Sequence, residues 1–301
     1  MKMNTIYLGG PTASGKTEVA IRLAERLNGE IVSCDSMQIY RYLSIGTAKP
    51  TAAEQERCRH WLVDFLEPSQ EYSVYEYVKD AREAISDILS RGKVPIVVGG
   101  TGYYMSSLLH ETPYSIHKDT VFSDIVSKEY DVPGGPDKLL REITEADPDH
   151  GEKLSVRDRK RIIRAVELLR STGSTYSYSP DIIKENDNFL FLFSFCDRKK
   201  LYERIEKRID IMVQNGLLDE ARYVFDNRES FKTAAAAIGY KEFFPFFQEE
   251  ASLEECIAEL KKATRHYAKR QITWFKRERH IDIQVDSMST DEIIDHIIQN
   301  L

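Results

Sequence analysis

Residues 5–17 read TIYLGGPTASGKT, and this stretch decides the fold. Residues 5–9 form a short apolar run of strand type. Gly10, four spacer residues and Gly15-Lys16-Thr17 then match the phosphate-gripping pattern G-x-x-x-x-G-K-[ST], and a helical pattern continues to about Leu27. In this loop, which also contains Pro11, Thr12 and Ser14, the amides from Ala13 to Lys16 are expected to form an anion nest at a helix N-terminus. Lys16 adds a point charge, and the Thr17 hydroxyl is the expected ligand for Mg²⁺. The motif calls for a bound group with two or three phosphates. It leaves open whether that group is a nucleotide, and whether phosphorus is what moves.

Working outward, EIVSCD (30–35) is a second strand and VPIVV (94–98) a third, with a capped helix, SVYEYVKDAREAISDILSRG (73–92), between them. Continuous apolar strands alternating with helices predict a doubly wound α/β fold, a P-loop NTPase-like parallel-sheet core. The carboxyl ends of such strands face the ligand crevice, so Asp35 and, in GGTG (99–102), Thr101 are expected beside the phosphate loop. The alternative for Asp35 is that it only caps the next segment.

The alternation stops between 113 and 188, where helix signals such as PDKLLREITEADP and RDRKRIIRAVELLRSTG occur without a strand, and STGSTYSYSP (171–180) reads as a loop. Strand character returns in FLFLFSFC (189–196) and in IDIQV (281–285), with helices between them and capping boxes at Ser252/Glu255 and Ser289/Glu292. The expected organisation is a core of 1–112 and 189–301, interrupted by a helical insertion over 113–188. Arg204 and Arg208 share one helix face four residues apart. They serve either to stabilise phosphate charge or to pair with Glu203 and Glu206.

The chain has 301 residues, 42% hydrophobic and 30% charged, which fits an ordinary globular protein rather than a disordered one. No apolar stretch approaches the roughly 20 residues of a membrane helix, and the N-terminus has no secretory apolar core, so a cytoplasmic protein is expected. Four dispersed cysteines are most simply buried thiols. The formal charge is -7, yet residues 157–170 carry six basic against two acidic groups and 261–280 eight against one. Concentrated basic segments on an acidic chain suggest a local polyanion site or, more plainly, solvated helix faces.

In order along the chain occur GPTASGKT, DSMQIYR, IGTAKP, VVGGTGYY, RKRIIRAVELLRSTG, RIEKRIDIMVQNGLLDEA, IGYKE and AKRQITWFKR. This series resembles the tRNA dimethylallyltransferases, the IPP transferase family. The resemblance implies that residues 10–17 hold dimethylallyl diphosphate, whose diphosphate is a leaving group, and that the acceptor is the adenosine 3′ to the anticodon. It also implies Asp35 as the group acting on the adenine amine, Arg208 beside the bridging oxygen and Thr101 at the reaction channel. The tRNA anticodon stem-loop would meet Asp35, Ser36, Met37, Gln38 and Thr101. It would also meet Lys160, Arg161, Ile162, Ile163 and Arg164 in the insertion, and Lys269, Arg270, Gln271, Trp274 and Lys276. A monomer is expected. Lys160, Ala236 and Ser123 depart from the family's usual residues and bear on loop contacts rather than on the chemistry. An adenylate isopentenyltransferase, a small-molecule kinase and a non-enzymatic RNA-binding switch are the competing readings.

Overall fold

The computed structural model describes residues 5–110, 120–175 and 190–301. The chain divides into two compact units, one of Met1–Leu109 with Asp187–Leu301 and the other of His110–Asn186.

The first unit is built on six parallel strands in the order β3-β2-β4-β1-β5-β6. They are β1 (Ile6–Gly9), β2 (Gly29–Ser33), β3 (His60–Trp61), β4 (Val94–Gly99), β5 (Leu190–Ser194) and β6 (His280–Gln284). Leu8 stands between Val98 of β4 and Phe191 of β5, so the phosphate loop leaves from the middle of the sheet. The central strands are apolar without alternation because both faces are covered: Leu8, Ile31, Ile96 and Phe191 are all buried. Helices α1 (Lys16–Leu27), α2 (Ala52–Arg57), α3 (Val74–Ser90) and α4 (Gly102–Leu109) belong to the first half of this unit. Helix α1 turns Val19, Ala20 and Leu23 onto the sheet, 3.6-residue periodicity in the expected place.

The second unit contains α5 (Thr120–Tyr130), α6 (Gly135–Ala146), α7 (Pro148–Gly151) and α8 (Arg159–Thr172). Its own small core joins Val126, Leu139, Ile143, Ile162 and Val166. Gly173 closes α8 in the left-handed conformation. Of the expected loop at 171–180, the first two residues are the end of α8 and residues 176–180 lie outside the described residues.

The first unit resumes with β5, α9 (Arg198–Gln214), α10 (Leu217–Asp226), α11 (Lys232–Ala235), α12 (Phe244–Phe247), α13 (Leu253–Phe275), β6 and α14 (Thr290–Gln299). The boxes expected at Ser73, Ser252 and Ser289 are all formed. A fourth, Thr51 with Glu54, opens α2. That one was readable in the sequence, whereas β3, two residues long, has no alternation to read. One buried carboxylate ties the start of β2 to its surroundings: Glu30 accepts from Arg91, Lys93 (2.8 Å) and Trp61 (2.8 Å). The Arg91 guanidinium holds this carboxyl well below the usual range, and the Lys93 and Trp61 bonds add to it. Two cysteines correct the expectation of buried thiols: Cys196 is exposed just past β5, and Cys58 is half-buried. Among the described residues no helix is long and apolar enough to cross a membrane.

Candidate active site

The loop between β1 and α1 is shaped by left-handed backbone at Ala13 (φ 61°) and Gly15 (φ 89°). This alternation turns successive amides toward one side, as an anion nest requires. A side chain at Gly15 would be strained by its φ, and its Cβ would approach an Arg204 nitrogen at 3.3 Å. Lys16 opens α1 and is buried; its Nζ donates to the Pro11 carbonyl (2.7 Å) and to Ser14 Oγ (3.2 Å). Thr17 is exposed at the same helix end.

From α9, Arg208 reaches the loop and donates from Nη1 to Thr12 Oγ1 at 2.9 Å. Of the two glutamates expected as partners within α9, Glu206 pairs instead with Arg265 of α13 at 2.6 Å. Asp35 lies two residues past β2, where its Oδ1 accepts from the amides of Met37 (2.9 Å) and Gln38 (3.3 Å). It therefore caps its own turn and also lines the cavity described below.

Thr101 bonds the turn that carries Asp35. Its hydroxyl accepts the Ser36 N–H at 3.0 Å, and its own N–H donates to the Cys34 carbonyl at 3.1 Å. Thr101 thus braces the 35–38 turn from behind. Gln38, expected at the RNA, spends its side chain on the loop after it, donating from Nε2 to the carbonyls of Thr47 (3.3 Å) and Ala48 (3.1 Å).

Lys16, Arg208, Asp35 and Gln38 border one cavity of about 920 Å³. One part of its lining is the phosphate loop with Lys16, Arg204 and Arg208; another is apolar, with Ile209, Met212, Leu217 and Leu260. Lys16 is buried, and Asp35 and Arg208 are half-buried. Burial pushes Lys16 down to about 7, Arg208 lowers it further, and Asp35 opposes them. Burial also lowers Arg208, against the pull of Asp35. Burial raises the Asp35 carboxyl, with its two amide bonds, Lys16 and Arg208 acting the other way. Two cations share one carboxylate here, so a polyanion would relieve a repulsion already built into the site.

Metal fit follows from the donors present. Among the described residues no three His, Cys, Asp or Glu side chains are grouped to hold an ion. Thr17 offers one oxygen at the nest, which suits Mg²⁺ held mainly by phosphate oxygens and water.

The remaining expected residues divide by burial. Lys160 and Arg161 are exposed on α8, and Arg164 bonds Glu167 at 2.6 Å. Ile162 and Ile163 are buried in the helical core, so their side chains do not offer an RNA surface. Lys269 and Arg270 on α13, and Lys276 just past its end, are exposed. Trp274 is half-buried and donates from Nε1 to Ser106 Oγ at 2.7 Å. Gln271 is only 4% exposed, an interior residue rather than a surface one.

Two groups received no role from the sequence. Lys49 of IGTAKP is buried and donates to the Tyr40 carbonyl at 2.6 Å and to Asp64. Glu220 of α10 accepts from the amides of Ser44 (2.8 Å), Ile45 (2.9 Å) and Gly46 (2.8 Å) and from the Tyr240 hydroxyl (2.8 Å). Together they fasten the 44–49 wall of the cavity. The only sequence signal was the motif itself, since a distant glutamate filling three amides leaves no local pattern.

The chain matches the model of the IPP transferase family over residues 38–278 and that of isopentenyl transferase over 1–69. A tRNA dimethylallyltransferase of Lactobacillus delbrueckii subsp. bulgaricus is 42% identical, covering 92% of this chain and 90% of that one. One from Acetivibrio thermocellus is 40% identical over 99% and 96%. Among solved structures, the tRNA delta(2)-isopentenylpyrophosphate transferase of Staphylococcus epidermidis is 37% identical, with a TM-score of 0.71 and 98% of both chains covered. A eukaryotic dimethylallyltransferase, described as acting on tRNA, gives a TM-score of 0.82 at 28% identity, over 98% of this chain and 77% of that one. With the family model spanning most of the chain and relatives this similar over nearly its full length, the chain belongs to the IPP transferase family, that of the tRNA dimethylallyltransferases.

Proposed function

We propose that this protein transfers the dimethylallyl group of dimethylallyl diphosphate to N6 of the adenosine 3′ to the anticodon in tRNA, releasing diphosphate. It does so as a cytoplasmic monomer. One observation carries the reading: a single cavity combines a cationic phosphate nest, an apolar wall and a carboxylate, Asp35. An isoprenoid diphosphate needs the first two, and an amine acceptor needs the third.

The amides of residues 13–16, Lys16 and Arg208 hold the diphosphate and stabilise the charge that grows on its bridging oxygen. Mg²⁺, coordinated through Thr17, would neutralise further charge on the leaving group. The apolar wall, including Met212 and Leu260, receives the hydrocarbon and keeps water from the allylic carbon. The N6 lone pair forms the new N–C bond as the C–O bond breaks and its electron pair leaves with diphosphate. Asp35 orients the amine and accepts the proton it loses. Its elevated pKa makes it a better base than an ordinary aspartate. Thr101 acts as a positioning residue through the Ser36 turn. The adenine reaches the cavity by extrusion from the anticodon loop, which is inexpensive for an unpaired base. Lys160, Arg161 and Arg164 on one unit, and Lys269, Arg270 and Lys276 on the other, supply the phosphate contacts of the anticodon arm.

The test is incubation with Mg²⁺ and radiolabelled dimethylallyl diphosphate, offering either unmodified tRNA with adenosine 3′ to the anticodon or AMP. Label in the tRNA is expected. Label in AMP points to an adenylate enzyme, and label in neither overturns the proposal.

A further inference from the structure

The buried amide of Gln271 bonds two loops that border the cavity. Its Oε1 accepts from the Thr12 N–H in the phosphate loop at 2.9 Å, and its Nε2 donates to the Gly100 carbonyl at 2.9 Å. Gly100 leaves the space for this contact, because a Cβ there would stand 2.2 Å from Gln271 Nε2. One turn later on the same helix, Trp274 packs against Gly102, where a Cβ would stand 2.5 Å from its ring, and bonds Ser106. Helix α13 is thereby fixed at two points to the segment after β4.

The bonds on either side of Gln271 complete a chain. Arg208 donates to Thr12 Oγ1, Thr12 donates to Gln271, and Gln271 donates to Gly100. The next residue, Thr101, donates to the Cys34 carbonyl and accepts from Ser36, the neighbour of Asp35. The phosphate nest and the carboxylate stand on separate loops, which follow strands β1 and β2 on either side of β4.

We infer that Gln271 is a positioning residue that sets the spacing between the phosphate loop and the Gly99–Thr101 loop, so that diphosphate and Asp35 are held as one unit. This rests on the proposed transferase reading for what the spacing accomplishes. An amide is required because the site presents one N–H and one carbonyl, and only a group with both an acceptor and a donor answers both. A leucine fills the volume and answers neither. An ionised glutamate answers Thr12 but turns a second acceptor toward the Gly100 carbonyl.

The experiment compares Gln271→Leu and Gln271→Glu with the wild type. It measures calorimetric binding of inorganic diphosphate, turnover with saturating tRNA, and tRNA affinity without donor. Loss of the buried pair should weaken diphosphate binding by about tenfold in Gln271→Leu and lower kcat by a similar factor, with tRNA affinity unchanged. In Gln271→Glu the deficit should be larger at pH 8 and shrink toward pH 6, as the buried carboxyl gains the proton that restores a donor. Taking each value relative to wild type at the same pH cancels the titration of other groups. Wild-type diphosphate affinity and turnover in both variants would overturn the inference. So would a loss confined to tRNA affinity, which would make Gln271 an RNA contact. If either variant melts near the working temperature, the wild-type Thr12 amide decides. It should be protected from hydrogen exchange before any ligand is added, and unprotected exchange overturns the assignment. A wild type that binds diphosphate yet prenylates no tRNA would end the transferase reading, while the diphosphate arm would still test Gln271.

Discussion

The phosphate loop and the basic run of α8 are both short motifs visible in the sequence, but they fold by opposite rules. At the loop, the cations expected to act are bonded to neighbours: buried Lys16 to Pro11 and Ser14, and half-buried Arg208 of α9 to Thr12. In α8, Lys160 and Arg161 are exposed while Ile162 and Ile163 are buried. A catalytic group needs a fixed position and a low-dielectric setting, whereas a phosphate contact on RNA needs only charge within reach. The difference shows where mutation should alter chemistry and where it should alter only affinity.

The largest expected effect tests the cavity. Asp35→Asn keeps an acceptor for the Met37 and Gln38 amides but removes the base, so kcat should fall by roughly 10²–10⁴ with tRNA affinity intact. Near wild-type turnover would sink the base assignment.

Lys16 offers a pH test. Its pKa of about 7 in the free protein means that it is mostly neutral at pH 8, and bound diphosphate must raise that value. Binding at pH 8 should therefore take up a proton, and affinity should fall by up to roughly tenfold per pH unit above 7 until the bound-state pKa is reached. The ratio of wild-type to Lys16→Met affinity, which removes the ionisation of diphosphate itself, should carry this slope. A flat ratio between pH 6.5 and 8.5 would show that Lys16 is an ordinary charged lysine.

A smaller effect is expected on α8. Removing Lys160 and Arg161 together should weaken tRNA binding by a few-fold and reduce the salt dependence of log K by up to about 2, with diphosphate affinity unchanged. An unaltered slope would return both residues to a solvated face. The smallest effect sharpens the contrast within that run. Ile163→Val should lower stability by about 1 kcal/mol in denaturant titration and leave tRNA affinity where it was. A loss of tRNA affinity without a loss of stability would place this isoleucine at the RNA instead.

The sequence by itself determined whatever is local. The loop GPTASGKT, the capping boxes and the continuous apolar strands announce the parallel sheet and place the nest at its centre, because backbone geometry and periodicity are written in adjacent residues. Asp35 and Arg208 line one cavity, one expected from its place at a strand end and the other from the family's motif. Tertiary structure alone decided which polar groups face ligand and which face protein. Gln271 lies in a basic, RNA-like stretch yet turns inward, Thr101 braces a turn, and Glu220 fills the amides of residues 44–46 from another helix. Such hydrogen bonds join residues far apart in the chain, and each depends on a donor and an acceptor meeting only after the core has closed. A side chain's direction is then set by the partner it finds, and no spacing within the sequence encodes that partner.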